Sequence, residues 1–250
     1  MSSEKAIKYL LFDLDGCLYS ADSGYVEHTR KQLFRYIWNQ GWVSSSSDVE
    51  LTESQQLEIA ERFWRPLFTK YNQTYRGLKE AGLEIDYDDY WSTCRAGTSN
   101  FLKEDKDLRS LLLQLPQKKY IVSNCNEKEV MEALNCLGVS DLFERVFGAK
   151  AMLPYCKPEK EAFQKILDEL GHVNPTECCM FEDSFKNLKT CNEMGMQTVF
   201  VLSEIHVREE GVQSKDHEIL DAVVPTLSEA NGNSLRAQMP HLFSELQHVT

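Results

Sequence analysis

The stretch that most restricts the fold is Ile7 to Ser20, IKYLLFDLDGCLYS. Its apolar run, Ile7 to Phe12, is broken only by Lys8 and Tyr9 and ends at a carboxylate, Asp13; Asp15 and Gly16 follow. A continuous apolar run suits a strand buried on both faces of a parallel sheet. Such sheets place ligand sites beyond the carboxyl ends of their strands, where Asp13 falls. In extended backbone, residues two apart point the same way, so Asp13 and Asp15 share a side. Gly16 supplies a turn that residues with side chains resist. Alone, Asp-Gly after a strand reads as an ordinary turn.

Three later segments change that reading. Lys118 to Asn124, KKYIVSN, is a second apolar strand, ending in Ser123 and Asn124. Cys156-Lys157-Pro158 precedes an amphipathic helix, and Glu177 to Ser184, ECCMFEDS, is a third strand, ending in Glu182 and Asp183. Asp-x-Asp, Ser, Lys and Glu-Asp, in that order at strand ends, resemble the four motifs of the haloacid dehalogenase superfamily. The resemblance implies an α/β fold: a Rossmann-like core with a parallel sheet, plus an inserted all-helical cap of the C1 type. The insertion lies between the first two motifs, while about thirty-four positions separate Ser123 from Lys157. That gap holds one helix and one strand, without room for a second large cap. The expected division is a core of 1–20 and 105–230, a cap of 21–104 and a loosely attached C-terminal tail of 231–250 that could hold a short helix.

Composition narrows the partners. With 42% hydrophobic and 26% charged residues, the 250-residue chain has the balance of a soluble globular protein. No stretch approaches the roughly 20 apolar residues that span a bilayer. The N-terminal apolar run is too short for a secretory signal, so the cytoplasm is the expected location, with the nucleus also open. A net charge of −12 argues against a nucleic-acid polymer, which needs clustered Lys and Arg. An anionic small substrate must then be drawn in by a metal ion and a few cations. The eight cysteines form no C-x-x-C pair and read as reduced, buried thiols. Cys17, Cys125 and Cys156 each lie beside a motif residue, where oxidation would block a site. The six histidines show no triad or metal spacing.

Between Tyr19 and about residue 100 the pattern is helical. Val26 to Gln40 has helical apolar spacing and stops at Gly41, and Ser44 to Ser47 reads as a linker. Thr52, with Gln55 three residues on, caps a longer helix, which Pro66 should kink or split. Tyr87 to Cys94 is a third, short helix. From Lys106 an alternating α/β rhythm begins. Its helices start near Asp107, after an Asn126 cap, and with Pro158 in a first turn, and a fourth, lined by Leu188, Cys191 and Met194, ends at Gly195. Its strands cover Tyr120 to Ser123, Arg145 to Gly148, Cys178 to Phe181, Thr198 to Leu202 and Ala222 to Val224.

These residues suit phosphoryl chemistry. Asp13 can attack phosphorus as a nucleophile. A carboxylate is repelled by a phosphate dianion, so a bridging cation is needed, and Mg²⁺ with its preference for oxygen ligands fits. Asp13, the Asp15 backbone carbonyl and Asp183 would supply those ligands, with Glu182 acting through a bound water. Asp15 is left as general acid and base, a role worth about 10²–10⁴ in rate. Lys157 would hold Asp13 and the phosphate together, while Ser123 and Asn124 would bind phosphoryl oxygens through hydroxyl and amide.

The likeness extends from about residue 10 to 205 in one branch, the pyrimidine 5′-nucleotidases of the fungal and plant type. Shared segments are D-x-D-x-x-L-Y (Asp13 to Tyr19), Y-x-x-x-x-x-G-L (Tyr71 to Leu78), D-Y-D-D-Y (Asp86 to Tyr90), L-R-x-L-L-x-L-P (Leu108 to Pro116, here LRSLLLQLP, one residue longer) and F-x-D-S-x-x-N-L (Phe181 to Leu188). The resemblance implies Mg²⁺-dependent dephosphorylation of nucleoside 5′-monophosphates, UMP and CMP favoured. Cys17 stands where Thr or Asn is usual, and Glu182 where Asp is. Other small metabolites, such as a sugar phosphate or a lysophosphatidic acid, a phosphomutase reaction, or a non-catalytic phosphate sensor are the alternatives; Asp15 argues against a dehalogenase. The sequence leaves oligomeric state open.

Overall fold

The computed structural model describes residues 6–44, 50–202 and 218–243. The end of the expected linker, His206, His217 and His248 and the last residues of the expected tail lie outside the described residues. The chain divides into two compact units, one made of Met1–Ser23 with Leu102–Thr250, the other of Gly24–Phe101.

The first unit is a six-stranded, wholly parallel sheet. Its strands are β1 (Tyr9–Phe12), β2 (Lys118–Val122), β3 (Arg145–Phe147), β4 (Cys178–Glu182), β5 (Gln197–Val201) and β6 (Ala222–Val224). They lie in the order β3-β2-β1-β4-β5-β6. The chain order reverses beside β1, and such a reversal opens a crevice beyond the strand ends. Between the strands run α6 (Lys106–Leu113), α7 (Glu127–Leu137), the short α8 (Ala149–Met152), α9 (Lys160–Glu169) and α10 (Phe185–Glu193). Their inner faces and the strands form one core, in which Leu11, Val122, Phe163, Met180, Leu188 and Phe200 are buried. The parallel sheet is the one the apolar runs imply, and the whole is the Rossmann-like α/β fold the family resemblance implies.

Helix α11 (Glu229–Gln238) is the short helix the tail could hold, and with the turn Pro240–Phe243 it corrects the loose attachment as far as residue 243. Leu235, Met239 and Leu242 are buried in the first unit. The Gln117 amide donates to the Leu242 carbonyl at 2.9 Å, and the Gln238 side chain pairs with the Val223 backbone on edge strand β6. The apolar signal was diluted by Asn231, Gly232, Asn233 and Ser234, all poor helix formers. Pro158 is a smaller correction: α9 begins at Lys160, so the proline lies before its first turn. Asn126 precedes α7 as expected, but its side chain donates to Glu129 and does not cap the backbone.

The second unit is all helical: α1 (Tyr25–Asn39), α2 (Glu53–Tyr71), α3 (Thr74–Glu80), α4 (Tyr87–Cys94) and α5 (Thr98–Phe101). The capping box is present, with the Gln55 side chain accepting from the Thr52 backbone at 2.9 Å. Pro66 does not split α2, which runs unbroken through it. Ala60 and Trp64, both before the proline, are buried on the helix's inner face. The aromatics pack as core: Phe34 meets Trp64 at 5.4 Å, and Tyr36 meets Tyr90 at 5.6 Å. Helix α3 escapes the sequence because Gly77 sits inside it. A Cβ there would lie 3.1 Å from Leu67 Cβ, so the glycine allows α2 and α3 to approach. Among the described residues no helix is long and apolar enough to cross a membrane.

Candidate active site

The first unit brings most of the expected residues to one edge of the sheet. Phe12 lies level with Ile121 on one side and Phe181 on the other, so the next positions, Asp13, Val122 and Glu182, form the following row. Asp13 donates its backbone N–H to the Phe181 carbonyl at 2.9 Å, carrying the pairing past the end of β1. Ser123 is similarly anchored to the Phe147 carbonyl. Its Oγ accepts from the Cys125 N–H at 3.2 Å, which leaves the hydroxyl proton to donate.

Lys157 comes from the loop before α9 and is 1% exposed. Its Nζ lies 2.9 Å from Asp13 Oδ1 and 2.7 Å from Glu182 Oε2. Glu182, fully buried, also accepts the Asn187 amide at 2.9 Å and the backbone N–H groups of Asp183 and Ser184 at 3.2 Å. Its two oxygens thus meet four donors. Carboxylate oxygens of Asp13, Glu182 and Asp183 lie within 4.8 Å of one another. Gly16 closes the other side. Its φ is +77°, and a Cβ there would stand 1.8 Å from Asp183 Oδ2, so only glycine fits. Asp15 is partly exposed and accepts a hydrogen bond from the Tyr19 hydroxyl.

The electrostatics follow from burial and crowding. Burial, then the charge of Glu182, pushes the Asp13 carboxyl up to about 8 against the pull of Lys157. Burial also raises Glu182. Burial alone would lower Lys157, yet Asp13 and Glu182 hold its ammonium above the ordinary value. Three buried carboxyls against one ammonium leave an excess of negative charge that a cation would relieve. The donors are all hard oxygens, which fits Mg²⁺ and not a soft metal.

Asn124 differs from expectation in where its amide points. Oδ1 accepts the Lys157 N–H at 2.9 Å, and Nδ2 donates to the Lys157 carbonyl at 3.0 Å. Asn187 had no assigned task in the sequence reading; its only signal was its place in the F-x-D-S-x-x-N-L segment. The three flagged cysteines are buried: Cys17, whose thiol donates to the Phe181 carbonyl, Cys125 and Cys156. All eight thiols are free.

The chain matches the haloacid dehalogenase-like hydrolase family over residues 7–195, which takes in all four motifs. The protein belongs to the haloacid dehalogenase-like hydrolases. Among curated relatives of this hydrolase is phosphate metabolism protein 8 of Saccharomyces cerevisiae, 23% identical over 86% of this chain and 68% of that one. Two solved structures show the same fold. A HAD phosphatase from Thermococcus onnurineus is 20% identical, with a TM-score of 0.61 over 92% of this chain and 97% of that one. The putative HAD-hydrolase YfnB from Bacillus subtilis, bound to magnesium, is 19% identical, with a TM-score of 0.57 over 93% and 98%.

Proposed function

We propose that this hydrolase is a Mg²⁺-dependent phosphomonoesterase that cleaves nucleoside 5′-monophosphates, UMP and CMP favoured. The observation that carries the phosphatase reading is Lys157, which bridges Asp13 and Glu182 beside Asp183. Asp13 is the nucleophile. Its carboxylate oxygen forms a bond to phosphorus as the ester oxygen leaves with a proton from Asp15. Asp15, now a carboxylate, takes a proton from water, whose oxygen attacks phosphorus. Inorganic phosphate departs and Asp13 is restored. Lys157 keeps Asp13 oriented and offsets charge on the phosphoryl group, and Ser123 donates its hydroxyl to a phosphoryl oxygen. Asp13, Asp183 and the Asp15 carbonyl would hold Mg²⁺, with Glu182 reaching it through a water. The ion supplies charge neutralisation between carboxylate and phosphate.

Magnesium in YfnB and the phosphatase from Thermococcus onnurineus support the metal and the reaction class. The yeast relative's name is consistent with a phosphorylated substrate. The nucleotide preference rests on the likeness of the segments Tyr71 to Leu78, Asp86 to Tyr90 and Phe181 to Leu188 to those of pyrimidine 5′-nucleotidases, and a nucleotidase of that kind would serve nucleotide metabolism in the cytoplasm or the nucleus. The experiment is phosphate release with Mg²⁺ from UMP, CMP, AMP, GMP, dUMP, sugar phosphates and a lysophosphatidic acid, with Asp13→Asn as control. Turnover of UMP and CMP above the others, lost in the variant, is the expected result. Preference for a sugar phosphate or lipid would overturn the nucleotide assignment, and no turnover of any would overturn the phosphatase reading.

A further inference from the structure

Lys157 sits on a loop, yet its ammonium must lie within about 3 Å of two carboxylates at once. A lysine stem has four rotatable bonds, and ordering them costs conformational entropy. Burial fixes the stem. The backbone beneath must be fixed too, since a shift of 1 Å at its Cα is carried to the nitrogen.

We propose that Asn124 is a positioning residue that fixes Lys157 through a two-point clasp of its backbone, in place of a direct contact to phosphate. Oδ1 takes the N–H of Lys157 and Nδ2 gives to its carbonyl, so one planar amide pairs with both peptide groups, as a neighbouring strand would. The residues on either side are held as well. Glu159 accepts the Cys156 N–H at 2.9 Å, and Thr190 donates to the Pro158 carbonyl at 2.8 Å. Three successive residues, Cys156, Lys157 and Pro158, are each tied by a side chain, the first by Glu159 of the same loop and the other two from elsewhere, after β2 and in α10. Asn187 completes the arrangement at the far end, since it holds the Glu182 oxygen that receives the ammonium. The two asparagines follow β2 and β4, the strands that flank β1. The sheet therefore aims Lys157 from its backbone and from its tip.

The catalytic part of this proposal rests on the phosphatase reading; the clasp itself does not. Amide hydrogen exchange at Lys157 and kcat/KM for p-nitrophenyl phosphate are measured in wild type, Asn124→Ala, Lys157→Met and the double variant. Asn124→Ala is expected to speed Lys157 exchange at least about tenfold and lower kcat/KM by about tenfold. In the Lys157→Met background it should change kcat/KM less than about twofold, because effects acting through one group do not add. Unchanged exchange at Lys157 overturns the proposal, and so does an equal loss in both backgrounds, the signature of a direct phosphate contact. Asn124→Asp keeps the acceptor for the Lys157 N–H and should retain its protection; Asn124→Leu, which removes both polar atoms at similar size, replaces the alanine variant, with the same expected and overturning results, if that one does not fold. A wild type inactive towards every phosphate monoester would sink the phosphatase reading while the exchange result still decides the clasp.

Discussion

Asp13 titrates far from its ordinary value near 3.8 because it is buried beside Glu182. Folding without metal therefore takes up a proton there. The contribution is full below the ordinary carboxylate range and is lost as pH rises towards about 8. Thermal stability of the magnesium-free protein is expected to fall across that interval. Asp13→Asn should flatten the fall, Mg²⁺ should restore stability most at its upper end, and thermal scans at several pH values with and without the ion check both. The same variant should lose on the order of 10⁴–10⁶ in turnover if Asp13 is the nucleophile. Tyr19 is the second residue with a readable task, since its hydroxyl donates to Asp15. Tyr19→Phe is expected to lower kcat/KM for UMP by roughly tenfold, part of the about 10²–10⁴ an acid supplies. It should spare p-nitrophenyl phosphate, whose leaving group departs without a proton, and comparing the two substrates checks this. Cys17 shows why a thiol near a site need not be a switch. Burial, then the charge of Asp13, holds it well above the usual thiol range, away from the reactive thiolate.

At the scale of elements, the active edge is a set of strand ends in register, and the turn after β1 is as constrained as the strand. Gly16→Ala would drive a methyl group into Asp183. Since a displacement of about 1 Å can cost on the order of 10²-fold, Mg²⁺-dependent turnover should drop by at least that, with far-UV dichroism unchanged. Helix α2 makes the opposite prediction. Pro66 is exposed inside a continuous helix, so its missing N–H and ring clash are tolerated and not used. Pro66→Ala should raise stability to urea by at most about 3 kcal/mol. The strands of the sheet were legible in the sequence because doubly buried strands are continuous apolar runs closed by polar residues. Helices α1, α2, α4, α6, α7, α9 and α10 were legible from their stripes and stops. Helices α3, α5 and α8 were not: each has seven residues or fewer, too short for a period to show. The identities at the site were readable as motifs. The direction of the Asn124 amide and the four donors on Glu182 were not, because they depend on how β2, β4 and the Lys157 loop are juxtaposed.

For the whole molecule, the C-terminal segment belongs to the first unit's core. Leu242→Ala, at a fully buried position, should cost about 2–5 kcal/mol by urea unfolding, where a free tail would show no change. The sequence alone could not weigh this, since α11 finds its apolar partner on α6, more than a hundred residues earlier. The pairing of β1 has a consequence for biosynthesis. Tyr9 leaves the ribosome well before its neighbours in the sheet, Lys118 and Cys178. At about 5–20 residues per second, the strand that presents Asp13 waits roughly ten to thirty seconds for its second partner. During that wait Ile7 to Phe12 is an unpaired apolar edge, of the kind that chaperones bind and aggregates recruit. The contacts of Gly24–Phe101 are closer in sequence and can form while it waits, so the helical unit of the nascent chain is complete before the sheet that performs the chemistry.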